Sequence, residues 1–125
     1  MGHMPGIAKM RAVVLDCPEP RALAEFYRQL VGGELTHAED DWVNLRDGDT
    51  VLLSFQQAPD HQPPAWPDPD RPQQFHLDLT VDEAGVDDAE RRVLALGATK
   101  HELQPGDNWR VYVDPAGHPF CLCWD

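Results

Sequence analysis

His76 and Asp78 stand two residues apart in Phe75–Val81 (FHLDLTV), where apolar and polar residues alternate. In an extended strand that spacing puts both on one face, with Phe75, Leu77, Leu79 and Val81 on the other. An imidazole beside a carboxylate can move protons near neutral pH, orient a ligand or help hold a metal. Cys121 and Cys123 repeat the two-residue spacing near the end of the chain and so share a face that should line a cavity. Either cysteine also packs well as a small apolar group. A nucleophilic cysteine needs a thiolate, and no fixed basic neighbour of Cys121 is legible in the sequence. His76 is therefore the candidate catalytic residue, as an acid–base group. Trp42 and Trp109 suit the core or the walls of a site for a flat molecule.

These residues need strands to align them. Met10–Asp16 is a β-branched run, stopped by Cys17-Pro18-Glu19-Pro20. Leu23, Phe26, Tyr27, Leu30 and Val31 then mark one face of a helix that ends at Gly32-Gly33. Extended segments follow at Glu34–Ala38, Trp42–Arg46 and Val51–Gln56, with a hairpin turn at Asp47-Gly48-Asp49. The pattern restarts at Phe75–Val81. Asp82 is placed to cap a helix carrying Val86, Ala89, Val93 and Leu96, and strands are expected at Ala98–Glu102, Trp109–Val113 and Pro119–Trp124. His37 and His101 read as exposed strand residues. Each half is β-α-β-β-β, a repeat of element order more than of residue identity.

The units predicted are module one over about 10–57, a connector over 58–73 and module two over about 74–125. Residues 1–9 read as a tag remnant (MGHM) with an N-terminal extension. The connector's Ala58–Pro72 stretch holds six prolines and Trp66, so it is neither helix nor central strand, and it reads as a linker or a lid.

Composition narrows the partners. Lys and Arg number 10 against 22 Asp and Glu, a formal charge of −12, which disfavours nucleic acid and anionic membrane surfaces. Apolar runs of four or five residues are far short of the roughly 18 to 20 needed to span a bilayer. Three cysteines without a pairing pattern suit a reducing cytoplasm. A small organic molecule, aromatic or cationic, is the expected partner.

The element order, Phe26-Tyr27, and the stretches LDCPEPRALAEFY, RPQQFHLDLTVD and DPAGHPFCL resemble the vicinal oxygen chelate superfamily over Arg11–Asp125. That group includes glyoxalase I, extradiol dioxygenases, and bleomycin- and fosfomycin-resistance proteins. The likeness is greatest to small actinobacterial glyoxalase-like proteins. It implies an α+β fold in which two βαβββ modules form a curved, cup-like mixed sheet with helices outside, and it implies a homodimer. Metal-using members draw four ligands, usually His or Gln, Glu, His and Glu, from the first and last strands of each module. Those positions fall here on Ala12, Leu52, His76 and Cys121.

Two donors are missing, so the usual metal site is expected to be absent and no cofactor is assigned. A divalent transition metal on His76, Asp78 and Cys121, with Asp16 as a possible fourth donor, is the minor alternative. The leading expectation is a metal-independent binder with Trp42, His76, Asp78, Trp109 and Cys121 around its ligand. The other is a lyase or isomerase resembling glyoxalase I, using the degenerate metal site or His76 as acid–base group.

Overall fold

Pro20 starts the first helix because its missing N–H falls where no intrahelical partner exists. In the computed structural model, which describes residues 2–4, 6–7 and 9–125, this helix (α1) spans Pro20–Val31. Its apolar stripe buries Leu23, Phe26 and Tyr27, and the Gly32 N–H closes the last turn on the Arg28 carbonyl. Around it lie β1 (Val14–Cys17), β2 (Glu34–Thr36), β3 (Trp42–Asp47) and β4 (Thr50–Gln57). They form one sheet in the order β1-β4-β3-β2, with β1 parallel to β4 and the other pairs antiparallel.

The second half repeats this plan with β5 (Leu77–Thr80), α2 (Val86–Ala95), β6 (Thr99–Lys100), β7 (Trp109–Val113) and β8 (Pro119–Cys123). Its sheet runs β5-β8-β7-β6, and β5 lies parallel to β8. The α+β architecture with two βαβββ modules is therefore as expected. The eight strands nevertheless form two mixed sheets of four, and no ladder joins β1 to β5 among the described residues.

Several local expectations need correction. β1 begins at Val14 rather than Met10, and β5 begins at Leu77. Phe75 precedes the ladder, whose first pair is Leu77 with Phe120, and it stays 83% exposed instead of packing inward. Asp82 makes no side-chain cap: a 3-10 turn at Glu83–Gly85 leads into α2 with Gly85 at the cap position. His37 sits in a bend beyond β2 with φ 47°, and His101 lies just past β6 and is half-buried. Reading residues 1–9 as a tag remnant falls partly outside the described residues.

The two modules share one core. Tyr27 stacks on Phe55 of its own sheet and meets Phe120 of β8 edge-on, while Phe26 also meets Phe120 edge-on. The Tyr27 hydroxyl donates to Asp114 Oδ2 at 2.6 Å, and both residues are buried. Asp114 Oδ1 accepts the backbone N–H groups of Ala116 (2.8 Å) and His118 (3.0 Å), which shapes the β7–β8 turn. The carboxylate is thus satisfied entirely by donors rather than by a cation.

Module two has a polar counterpart. Burial pushes the Glu90 carboxyl upward, but the Tyr112 hydroxyl (2.8 Å), Lys100 ammonium (3.0 Å) and Arg110 guanidinium (3.4 Å) hold it below 4.5. This carboxylate ties α2 to β6 and β7.

Tyr27→Phe should lower stability by about 2 kcal/mol, since it strands a buried carboxylate oxygen. In a denaturant double-mutant cycle with Asp114→Asn, most of that loss should be absent once Asp114 is neutral. Glu90 should make its contribution in full above its ordinary value of 4.5 and lose it as pH falls through the lower folded-state value. Glu90→Gln should therefore be less stable than the parent at neutral pH, with the gap closing in thermal melts as pH falls below 4.5.

Candidate functional site

The parallel pairing of β5 with β8 puts Asp78 directly beside Cys121, and Thr80 beside Cys123. The antiparallel pairing of β8 with β7 adds Val111 opposite Cys121 and Trp109 opposite Cys123. Strand alternation sends these residues to the face away from Phe120, Leu122 and Tyr112, which fill the core. His76, one residue ahead of β5, continues the same face.

The result is a cavity of about 500 Å³ lined by His76, Asp78, Trp109, Val111, Cys121 and Cys123, with Trp66, Gln73, Pro105 and Asn108 closing the sides. His76 Nε2 lies 3.2 Å from Asp78 Oδ1, and both side chains are open to solvent. One donor atom each from His76, Asp78 and Cys121 falls within 4.8 Å of the other two. Cys121 forms the buried floor. Burial, followed by the Asp78 carboxylate and Cys123, pushes its thiol up to about 12, and burial with Asp78 also raises Cys123.

Both indoles are held from behind. A Cβ on Gly106 would lie 2.2 Å from the Trp109 ring, so that ring rests directly on the glycine backbone and would be displaced by any side chain there. His101 Nδ1 accepts the Leu103 N–H at 2.9 Å, which leaves its Nε2 to donate to the Trp66 carbonyl at 2.9 Å. The imidazole also lies 5.1 Å, centroid to centroid, from the Trp66 ring. The rest of the connector is tied down as well. Ala58 N–H bonds the Cys17 carbonyl at 2.8 Å, His61 Nε2 reaches the Ala116 carbonyl at 2.9 Å, and Pro63 sits where a Gly117 side chain would be.

Gln73 was not singled out by sequence. The residue lines the cavity, while its side-chain oxygen is closed off from solvent and has no hydrogen-bond partner among the described residues. Pro105 and Asn108 carried no signal because they belong to a loop without periodicity.

Trp42 does not join this group. It lies on module one, in a depression shared with Ala12, Asn44, Leu52 and Ser54. There Asn44 Oδ1 accepts from Trp42 Nε1 at 2.8 Å and from Ser54 Oγ at 2.7 Å. Matching positions in two modules became two separate faces, because the two sheets remain distinct. Asp16 also stays outside the donor group. It lines the gap between β1 and β5, where its carbonyl faces His118 Nε2 at 2.6 Å.

A model of the glyoxalase-like domain matches residues 12–123. The chain belongs to that family. It is a member of the vicinal oxygen chelate superfamily, and solved structures agree on the fold. A glyoxalase/bleomycin resistance protein/dioxygenase family enzyme from Burkholderia phytofirmans PsJN superposes with TM-score 0.71 at 18% identity, covering 94% of this chain and 98% of that one. A glyoxalase-related enzyme from Fulvimarina pelagi gives 0.69 at 17% identity, covering 95% and 89%. The fosfomycin resistance protein FosX from Mesorhizobium loti gives 0.70 at 15% identity, covering 96% and 94%. No curated protein matches the sequence. No helix among the described residues is long and apolar enough to cross a membrane.

The superfamily's four-donor metal set does not fit these residues. Ala12 and Leu52 offer no donor atom; Ala12 shares the gap between β1 and β5 with His76, and Leu52 lines the module-one depression. Burial of the Cys121 thiol beside a carboxylate also makes it a poor nucleophile. With the thiol near 12, its alkylation by iodoacetamide at pH 8 should run at least about a hundredfold slower than that of a free cysteine. Timed mass spectrometry with Asp78→Asn alongside checks this, and the variant should react faster.

Proposed function

We propose that this glyoxalase-like domain binds a small, flat organic molecule in the module-two cavity, independently of the superfamily's usual metal site. The observation that carries this reading is the pair of braced indoles, Trp66 and Trp109, lining one cavity above a floor of Val111 and Cys121. Its volume lies within the range of small-molecule sites, and its walls are apolar with a few polar groups. Because Gly106 and His101 already hold the indoles, little ordering is left to oppose binding. His76 and Asp78 then orient the ligand's polar edge.

The convergence of His76, Asp78 and Cys121 supports a second reading, a lyase or isomerase. Nitrogen, oxygen and sulfur donors of this kind suit zinc, which would act there as a Lewis acid. Without a metal, the His76–Asp78 pair could serve as an acid–base couple.

A panel of flat aromatic compounds against chelator-treated protein separates the readings. The first expects saturable quenching of tryptophan fluorescence and a rise in melting temperature, with Trp109→Ala weakening binding at least about tenfold. Elemental analysis of protein purified without chelators, beside His76→Ala, tests the second. Close to one transition-metal ion per chain, lost in the variant, would displace the metal-independent reading.

A further inference from the structure

The module-one depression is arranged to give hydrogen bonds. On β3, Trp42, Asn44 and Arg46 alternate onto one face, and all three line it together with Ala12, Leu52 and Ser54. Asn44 sets the pattern, since its Oδ1 accepts from the Trp42 indole at 2.8 Å and from the Ser54 hydroxyl at 2.7 Å. An indole N–H can only donate, so the end of the amide that meets Trp42 must be the oxygen. The Nδ2 end is turned away from both and makes no hydrogen bond among the described residues. Thr36 stands opposite Asn44 on β2, but its sealed hydroxyl oxygen is itself without a partner. The Asn44 nitrogen is not sealed, so an amide of fixed orientation offers its N–H groups to the depression.

Charge runs the same way. Lys9, Arg11 and Arg46 also line the depression, and none of them forms an ion pair among the described residues. Arg46 gives one N–H to the Asp49 carbonyl at 3.2 Å and keeps the rest of its guanidinium. Glu39 and Asp49 share the depression, yet neither carboxylate pairs with these cations. Five cations elsewhere are held by carboxylates, Arg28 by Glu25 and Arg110 by Asp87 among them. Donors of fixed aim beside an unpaired guanidinium are complementary to a carboxylate, whose two oxygens only accept. A protonated amine would be opposed by three cations and would leave the Asn44 N–H groups unused. A neutral carbonyl compound would engage Asn44 without drawing on the charge.

We propose that the module-one depression is a second binding site, separate from the module-two cavity, for a small carboxylate carried on an apolar body. One carboxylate oxygen accepts from Asn44 Nδ2 and the other from the Arg46 guanidinium, while the body lies on Ala12 and Leu52. Trp42 and Ser54 are positioning residues, because they fix which end of the Asn44 amide the ligand meets. This inference is independent of the flat-ligand reading and survives or fails without it.

NMR titration of isotope-labelled protein at neutral pH tests it with three probes of one shape: the carboxylate, the carboxamide and the methylammonium of naphthalene. The carboxylate should shift the Trp42 indole and Asn44 amide signals saturably. It should bind there at least about tenfold tighter than the carboxamide, the worth of one charge-assisted hydrogen bond. Added salt should weaken the carboxylate and leave the carboxamide unchanged. The methylammonium should not move these signals. The Trp66 and Trp109 indoles report the module-two cavity in the same spectra, so the two sites are read separately.

Asn44→Asp keeps an acceptor for Trp42 and Ser54 but removes the N–H donors. It should melt as the parent does and lose carboxylate binding, read at Trp42, by at least about tenfold. Arg46→Gln should weaken the carboxylate about fivefold or more and spare the carboxamide. Should Asn44→Asp melt early, that split in Arg46→Gln decides the matter. Equal binding of carboxylate and carboxamide would overturn the proposal, as would a well-folded Asn44→Asp protein that binds the carboxylate like the parent. A carboxylate that moves only the Trp66 and Trp109 signals, or none, would overturn it too.

Discussion

The hydrogen bond from Tyr27 to Asp114 is the constraint on which the rest of this molecule depends. It joins α1 of module one to the β7–β8 turn of module two, where aromatic packing and the contact of His118 with the Asp16 carbonyl also connect the two. Dispersion and burial alone would let two modules slide along Phe26, Phe55 and Phe120 with little change in energy. A buried carboxylate that needs all three of its donors permits no such slide. Because Asp114 also binds the N–H of His118, the same group sets where β8 begins and hence the register that brings Cys121 beside Asp78.

Sheet alternation then divides the work. On β7 and β8 the residues facing inward are Tyr112, Phe120 and Leu122, and those facing the cavity are Trp109, Val111, Cys121 and Cys123. A slip of one residue would exchange the two sets and place thiols in the core and phenyl rings in the cavity. Stability and site geometry are therefore set by one register. The connector contributes differently: its main chain is bonded to both modules and its His61 imidazole to module two, so its Trp66 is a fixed wall.

Much of this was legible from spacing. Period-two alternation in FHLDLTV and around Cys121-Leu122-Cys123 put His76, Asp78 and both cysteines on one face, and the i, i+3, i+4 stripe placed Phe26 and Tyr27 in the core. What failed depends on contacts between distant segments. Phe75 continues the alternation but has no partner strand beside it, so periodicity alone misjudged its burial. Asp82 had the right chemistry for a cap, but an extra turn at Glu83–Gly85 intervened. Trp42 looked equivalent to Trp109 by position in the repeat, yet equivalence between modules does not mean proximity when the sheets stay apart. Gln73 was invisible because a glutamine gains meaning only from donors missing around it.

The loss of ligands in module one and the polar surplus in module two have a common physical reading. A four-donor site spanning both modules would require each sheet to present oxygen or nitrogen to a shared centre. Here module one presents Ala12, Leu52 and an Asn44 whose carbonyl oxygen is already taken by Trp42 and Ser54. That amide oxygen is thus already satisfied within module one. Module two keeps an imidazole and a carboxylate exposed, an amide oxygen unpaired, and two thiols held protonated by burial. The exposed imidazole and carboxylate can meet a polar group without a metal to organise them, and the protonated thiols can donate. On the proposed reading, recognition of the flat ligand falls to module two, and the neighbouring module serves to hold that module's register.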